Sequence, residues 1–432
     1  MYISRVILKN IRGFVDLQFD LTRGDGTCAG WTVFTGDNGS GKSSLLKAIA
    51  VGLTGRDTAR SLQLSFQGWI RDGADDETTV ELEIVRVIDD DATSESGRNP
   101  SSRFPVKLTL TNGGKEPTLQ ATLPLGKPRN YATPERTIWS PDARGWFSCG
   151  YGPFRRVFGA SPEATRQMVA PTTERFVTMF QEAASLAEVD QWLRNLKHKE
   201  LENRAAEREQ LALLLEILRD DLLPNQITVD RVDSDGLWLK DRNGVQLAWG
   251  EMSDGYRAAL ALLADIIRHL ISVYGVEGLA DRGTDGKVFI RRSGVVLIDE
   301  VDAHLHPEWQ REIGFWLKRH FPNIQFLVTT HSPIICQAAD PNGLFVLPEP
   351  GSGVAPRALT TEEYEKVIAS RPDTILLTPA FGLQNTRSPR AVEGRAEWAQ
   401  LQAKKRAGAK LTPKEELRVE QLSLFATTEE EL

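Results

Sequence analysis

Cysteine is scarce: Cys28, Cys149 and Cys336 are the three in 432 residues, widely spaced and without a C-x-x-C pair. This excludes a disulfide framework and the usual zinc or redox pair, and the three read as buried thiols in a reducing cytoplasm. Long apolar runs are missing too. The longest, Ala258 to Leu263 and Leu211 to Leu215, fall far short of the roughly 20 residues that cross a bilayer. Met1 runs straight into the alternation Ile3, Val6, Leu8 without a charged leader, so a cytoplasmic chain with no membrane partner is expected. Positive charge is not in excess: the formal net charge is -7. That argues against a surface coated for nonspecific DNA binding, although a local basic groove can coexist with it.

What is present is an ordinary globular composition, 41% hydrophobic and 26% charged. The length exceeds one ordinary domain, so the expectation is a large α/β domain with insertions, or a core with a helical appendage. Arg5 to Leu8 and Phe14 to Phe19, split by Lys9-Asn10-Ile11-Arg12-Gly13, predict an antiparallel hairpin. Trp31 to Thr35 predicts a strand and Ser43 to Val51 a helix. Val80 to Val87 and Val106 to Leu110 predict strands joined by the polar connector Asp89 to Ser102. Ser161-Pro162-Glu163 opens a helical insertion, rich in Ala, Leu, Glu, Arg and Lys over Arg175 to Leu223. Ile227 to Val232 and Leu237 to Lys240 predict strands that return the chain to the core. Val295 to Ile298 and Ile324 to Thr329 are apolar runs of the buried parallel-sheet kind. The implied division is 1–160 and 225–378 for the two parts of the main domain, 161–224 for the insertion and 379–432 for a helical tail.

The chemistry begins at Gly36-Asp37-Asn38-Gly39-Ser40-Gly41-Lys42-Ser43-Ser44, which fits G-x-x-x-x-G-K-[ST] between a predicted strand and a predicted helix. Backbone N–H groups of Gly36, Asn38, Gly39, Ser40 and Gly41 can close round phosphates at a positive helix end. Lys42 reaches the β- and γ-phosphates, and the Ser43 hydroxyl ligates Mg²⁺ beside Ser44. The second element, Gly294 to Glu300, is an apolar strand ending in two carboxylates. Asp299 suits the metal's water shell, and Glu300 suits polarisation of an attacking water. Together they imply ATP and Mg²⁺ as ligands.

Met252-Ser253-Asp254-Gly255-Tyr256, ahead of the apolar helix Arg257 to Leu270, resembles the signature motif of ABC ATPases, with Ser253 and Gly255 in the matching places. Asp254 and Tyr256 depart from the transporter pattern toward the RecF-like and SMC-like branch. Val301 to Pro307 stands where that family carries its D-loop, with His306 in place of the usual Asp. His304 and His306 alternate, but no third metal ligand accompanies them. His331, directly after the strand Phe326 to Thr330, resembles the switch histidine that senses the γ-phosphate. Gln67 matches the Q-loop residue that joins the metal to the insertion, with Gln63 as the competing candidate.

Leu8 to Phe14 and Asp299 to Pro307 also look like the OLD-like and RecF-like group, which includes PtuA-type ATPase subunits of bacterial anti-phage systems. There the arginine at the Arg12 position lies near the phosphates. Gly150-Tyr151-Gly152-Pro153-Phe154-Arg155-Arg156 has the look of the same group but receives no role.

The resemblance implies an α/β P-loop NTPase of the ABC type, with a mixed, largely parallel sheet, an antiparallel β subdomain and a helical insertion. It also implies a homodimer joined through ATP-bound heads, with Ser253 of one subunit facing the nucleotide held by Lys42 of the other. Two functions stay open. One is the sensor and gate of a defence complex with a separate effector protein, a nuclease or toxin, docked on the tail. The other is a DNA-repair or DNA-organising ATP-gated clamp of the RecF or SMC type that grips duplex, with DNA or RNA as its partner.

Overall fold

Three apolar segments far apart in the chain, 30–35, 294–298 and 324–329, are buried along almost their whole length. Strands covered on both faces have no need of polar alternation, and these three lie side by side at the centre of the fold. The structure is a computed structural model describing residues 1–62, 64–74, 77–93, 101–112, 114, 116–122, 133–155, 171–182, 184, 186–348 and 354–426. Gln63, Arg156 and the Ser161-Pro162-Glu163 helix start lie outside the described residues.

The chain divides into two compact units, Met1–Ile375 and Leu376–Leu432. In the first, strands β1 (Tyr2–Ile11), β2 (Phe14–Asp20) and β3 (Gly30–Thr35) precede helix α1 (Lys42–Ser61). Strands β4 (Thr78–Val85), β5 (Arg103–Thr111), β6 (Thr118–Thr122) and β7 (Ser148–Tyr151) follow. Next come helices α2 (Ala187–Leu201) and α3 (Ala205–Arg219), then strands β8 (Thr228–Asp233), β9 (Gly236–Lys240) and β10 (Gln246–Ala248). Helix α4 (Asp254–Tyr274) leads through the short pair β11 (Ala280–Arg282) and β12 (Val288–Ile290) to β13 (Gly294–Ile298). Helix α5 (Pro307–His320), β14 (Ile324–Thr329), β15 (Leu344–Val346) and β16 (Arg357–Ala358) complete the main elements.

The central sheet has the order β16-β15-β3-β14-β13-β7. It is parallel from β15 to β7, and β16 runs antiparallel at the edge. A second, wholly antiparallel sheet, β2-β1-β4-β5-β6, contains the expected hairpin, with Val6 opposite Phe19 and Leu8 opposite Leu17. Its inward residues Ile3, Val6, Leu8, Val80, Leu82, Ile84, Val106 and Leu108 share one core with Leu45, Leu46, Ile49 and Leu53 of α1. The helix lies so close to β4 that a Cβ on Gly52 would meet Leu82 Cδ1 at 2.6 Å. At Gly55 it kinks (φ +74°), and Trp139 packs there while donating its indole N–H to Gly52 O at 3.0 Å.

Two findings correct the sequence-based expectation. β8 and β9 do not return to the central sheet: with β10 they form a separate three-stranded antiparallel sheet beside α2 and α3. Local alternation predicts a strand without choosing its partner. Conversely, Ser148–Tyr151 supplies an unexpected strand at the edge of the central sheet, next to β13.

The second unit, described to Ala426, is a helical hairpin of α6 (Pro389–Arg406) and α7 (Pro413–Ala426), joined by the ion pairs Arg418–Glu397 and Lys404–Glu415. Thr412 starts α7 as its sequence predicts. Its hydroxyl takes the Glu415 N–H at 3.3 Å, and Glu415 accepts the Thr412 N–H at 2.7 Å.

A buried polar cluster ties β7 to α4. Tyr151 donates its hydroxyl to Asp265 at 2.9 Å, and Asp265 pairs with Arg268 at 2.7 Å and His269 at 3.2 Å. Burial by itself would raise the Asp265 carboxyl, but the charges and hydrogen bonds of His269 and Arg268 outweigh it and hold the group well below 3.8. A depressed carboxyl contributes stability that is full above its unfolded value and is lost as pH falls through the folded one. Asp265→Asn should therefore cost about 3 kcal/mol near neutral pH. In urea unfolding, the gap to the wild type should shrink as pH drops below that ordinary value. A gap that stays constant or widens in acid would contradict this account.

Candidate active site

Four strands of the central sheet end on one edge, and the chemistry-bearing residues follow their ends. After β3, Gly36, Gly39 and Gly41 take φ of +145°, +82° and +93°. Side chains would not fit at two of them: a Cβ on Gly36 would lie 2.5 Å from Leu347 O, and one on Gly41 would lie 2.5 Å from the Phe14 ring. The loop curls over the Lys42 head, which donates to Gly36 O at 2.7 Å and Asp37 O at 2.9 Å. Burial lowers the Lys42 pKa, and the charges of Asp299, Glu300, Asp37 and Asp302 oppose that shift. The Ser40 hydroxyl is buried without a hydrogen-bond partner among the described residues. An ammonium, an unpartnered hydroxyl and a helix N-terminus at Lys42 together suit an anion with several acceptor oxygens.

Arg12 comes to this loop from the β1–β2 turn. It sits at φ +49°, donates its backbone N–H to Trp69 O at 2.8 Å, and its guanidinium lies 5.0 Å over the Trp69 ring while donating to Ser44 Oγ at 3.0 Å. Burial holds its pKa below the usual arginine value. Gln67, two residues before Trp69, is exposed in a turn, its backbone N–H given to Ser65 Oγ. No hydrogen bond joins its side chain to the loop among the described residues.

β13 delivers Asp299 and Glu300. Asp299 is buried, and its Oδ1 accepts the Thr329 hydroxyl at 2.5 Å. The same Thr329 oxygen accepts the Glu300 N–H at 2.7 Å. Glu300 is half-buried at φ +47°, a conformation uncommon outside glycine. The Ser43 hydroxyl and the Asp299 carboxylate are hard oxygen donors, which fit Mg²⁺. His331, exposed, follows β14 between Thr330, bonded to Asp302 at 2.5 Å, and Ser332, bonded to Gln310 at 2.6 Å.

Gly255, two residues after Ser253, packs on the segment after Glu300. A Cβ on Gly255 would meet His304 O at 2.4 Å, so the start of α4 lies directly on that segment. The Tyr256 and Trp309 rings meet at 5.3 Å. Ser253, Asp254, His304 and His306 are exposed there, and His306 caps α5 by accepting the Glu308 N–H at 3.4 Å.

Thr329, Phe14 and Arg155 have no assigned part in the sequence reading. Arg155 is buried and donates to Asp299 O and Glu300 O, both at 2.8 Å. Its motif was visible, but a turn with two solvated arginines reads the same way until β7 is paired with β13.

A family model described as AAA domain matches residues 5–222, just over half of the chain, and a second AAA-domain model matches residues 147–337. The chain belongs to the AAA-domain family. This AAA-domain chain is 25% identical over 388 residues to the Septu protein PtuA of Bacillus mycoides (strain KBAB4), covering 89% of this chain and 45% of that protein. It is 40% identical over 123 residues to the "Retron Ec83 probable ATPase" of Escherichia coli, covering 28% of this chain and 21% of that protein. It thus spans less than half the length of these relatives. Among solved structures, an Smc head bound to the C-winged helix domain of ScpA aligns at TM-score 0.49 and 17% identity, over 84% of this chain and 99% of that one.

The tight fit at Gly41 makes a direct check. Gly41→Val places a β-branched side chain at φ +93° against Phe14, and ATP affinity measured by titration calorimetry should fall at least about 100-fold, nearly 3 kcal/mol. Affinity within a few fold of the wild type would show that this loop does not hold the phosphates.

Proposed function

We propose that the chain is a Mg²⁺-dependent ATPase that works as a head-to-head dimer and, in the manner its resemblance to PtuA suggests, gates a separate effector protein in an anti-phage defence complex. The observation that carries the reading is the Thr329 hydroxyl, which holds the Asp299 carboxylate and the Glu300 backbone at the same strand edge that delivers Lys42. Bound Mg²⁺ would supply neutralisation of the β- and γ-phosphate oxygens, held by Ser43 and Asp299.

Lys42, the loop N–H groups and Arg12 bind and orient the phosphates. Glu300 orients a water in line with the γ-phosphorus. As the new P–O bond forms, the bond to the β–γ bridging oxygen breaks, the water proton passes toward Glu300, and ADP leaves with phosphate. His331, which follows the neighbouring strand β14, donates a hydrogen bond to the γ-phosphate in this reading. The exposed Ser253, Asp254, His304 and His306 offer a polar surface for the nucleotide of a second subunit, so closure requires ATP on both faces. Hydrolysis reopens the dimer, and the effector reads that cycle.

Glu300→Gln keeps shape and loses the charge that orients water. Its turnover should fall about 10²- to 10³-fold while ATP still binds, and light scattering should show a dimer that accumulates with ATP. Co-expressed genomic neighbours should co-elute with that dimer. Absence of any ATP-dependent association in this variant would remove the head-to-head mechanism, and absence of a co-eluting chain would remove the gating role.

A further inference from the structure

Arg155 grips peptide bonds, and the peptides it grips are those of the catalytic turn. Its Nη1 donates to Gly152 O at 3.2 Å and Asp299 O at 2.8 Å, and its Nη2 donates to Glu300 O at 2.8 Å and Ala303 O at 3.3 Å. The side chain is 4% exposed. Burial pushes its pKa down to about 10, against the opposing charges of Asp299, Asp302 and Glu300, so it stays cationic at neutral pH.

Glu300 needs such a clamp. A non-glycine residue at φ +47° is strained and persists only where its surroundings over-determine it. Its N–H is fixed by Thr329 Oγ1 at 2.7 Å and its C=O by Arg155 at 2.8 Å, so both flanking peptides are pinned. Through Ala303 O the same guanidinium supports the next turn. There His304 stands at φ +67°, and its carbonyl is the atom against which Gly255 packs. The fork thus joins the end of β7 to the Glu300 backbone and to the turn on which Gly255 packs.

We propose that Arg155 is a positioning residue for Glu300: its planar fork fixes the left-handed turn that aims the carboxylate, and so sets the rate of the chemical step without touching nucleotide. This rests on the hydrolytic role of Glu300 proposed above. Lysine at this position keeps the charge and most of the length but cannot span four carbonyls.

The test compares wild type, Arg155→Lys, Arg155→Ala and Glu300→Gln for kcat, KM, affinity for a fluorescent ATP analogue and melting temperature. Arg155→Lys should lose about 100-fold in kcat, as a misplacement of about 1 Å does, while KM and nucleotide affinity stay within about 3-fold. Millimolar guanidinium should restore part of the kcat of Arg155→Ala and do nothing for Glu300→Gln. Three results overturn the assignment: a wild-type kcat in Arg155→Lys, a loss of affinity that matches the loss of kcat, or unfolding of both Arg155 variants where the wild type is folded. A wild-type chain that binds ATP yet turns over no faster than Glu300→Gln defeats the hydrolytic reading itself, a pattern distinct from failure at Arg155 alone.

Discussion

The parallel register of β3, β14, β13 and β7 is the constraint on which the site depends. Phe34 lies beside Thr329, Val328 beside Ile298, and Ile298 beside Tyr151, so all four strands finish within about a residue of one line. Strands of one direction deliver their following loops to one edge, which is where open α/β sheets bind ligands. The glycine loop after Thr35, the carboxylates after Ile298, His331 after Thr330 and Arg155 after Tyr151 all emerge there. A slip of one residue between β13 and β14 would turn Thr329 to the opposite face. Asp299 and Glu300 would then lose their common partner.

Along that edge, backbone strain and its restraints come in pairs. Arg12, Glu300 and His304 all occupy positive φ, and each is held by contacts from elsewhere in the sequence: Arg12 by Trp69 and Ser44, Glu300 by Thr329 and Arg155, and His304 through Ala303 and the close approach of Gly255. Pre-organisation of this kind removes the need to order the groups at the moment of reaction. It also ties α4 to the turn after β13 at Gly255, and to the neighbouring strand β7 through the Tyr151–Asp265 hydrogen bond. A displacement of α4 therefore has a short path to Glu300 through His304.

Much of this was legible in the sequence because it is locally encoded. A glycine-rich loop between strand and helix, unbroken apolar strands and the Thr412–Glu415 cap each write their geometry into adjacent residues. The antiparallel hairpin was legible for the same reason, since its alternation and its turn are contiguous. Arg155 was not. Ser148-Cys149-Gly150-Tyr151 lacks the β-branched run of a buried strand, and its place beside β13 comes from tertiary packing. With β7 unrecognised, nothing in the sequence brings Arg155 to residues 299–303. β8 and β9 failed in the opposite way: the strands were visible and their partner was not. The site of Arg12 depends on the face of Trp69, a contact that no spacing between the two residues predicts.

The central claim is that each nucleotide is enclosed by Lys42 of one subunit and Ser253 of the other, and mixed dimers measure it directly. Ser253→Arg and Lys42→Ala should each be inactive alone, for different reasons: the first still binds ATP and the second does not. Mixed in equal amounts, they form heterodimers with one composite site intact and one doubly defective. The account predicts that ATP turnover returns in the mixture, in proportion to the fraction of verified heterodimer. Heterodimers that form and stay as inactive as either parent would contradict a site shared between subunits.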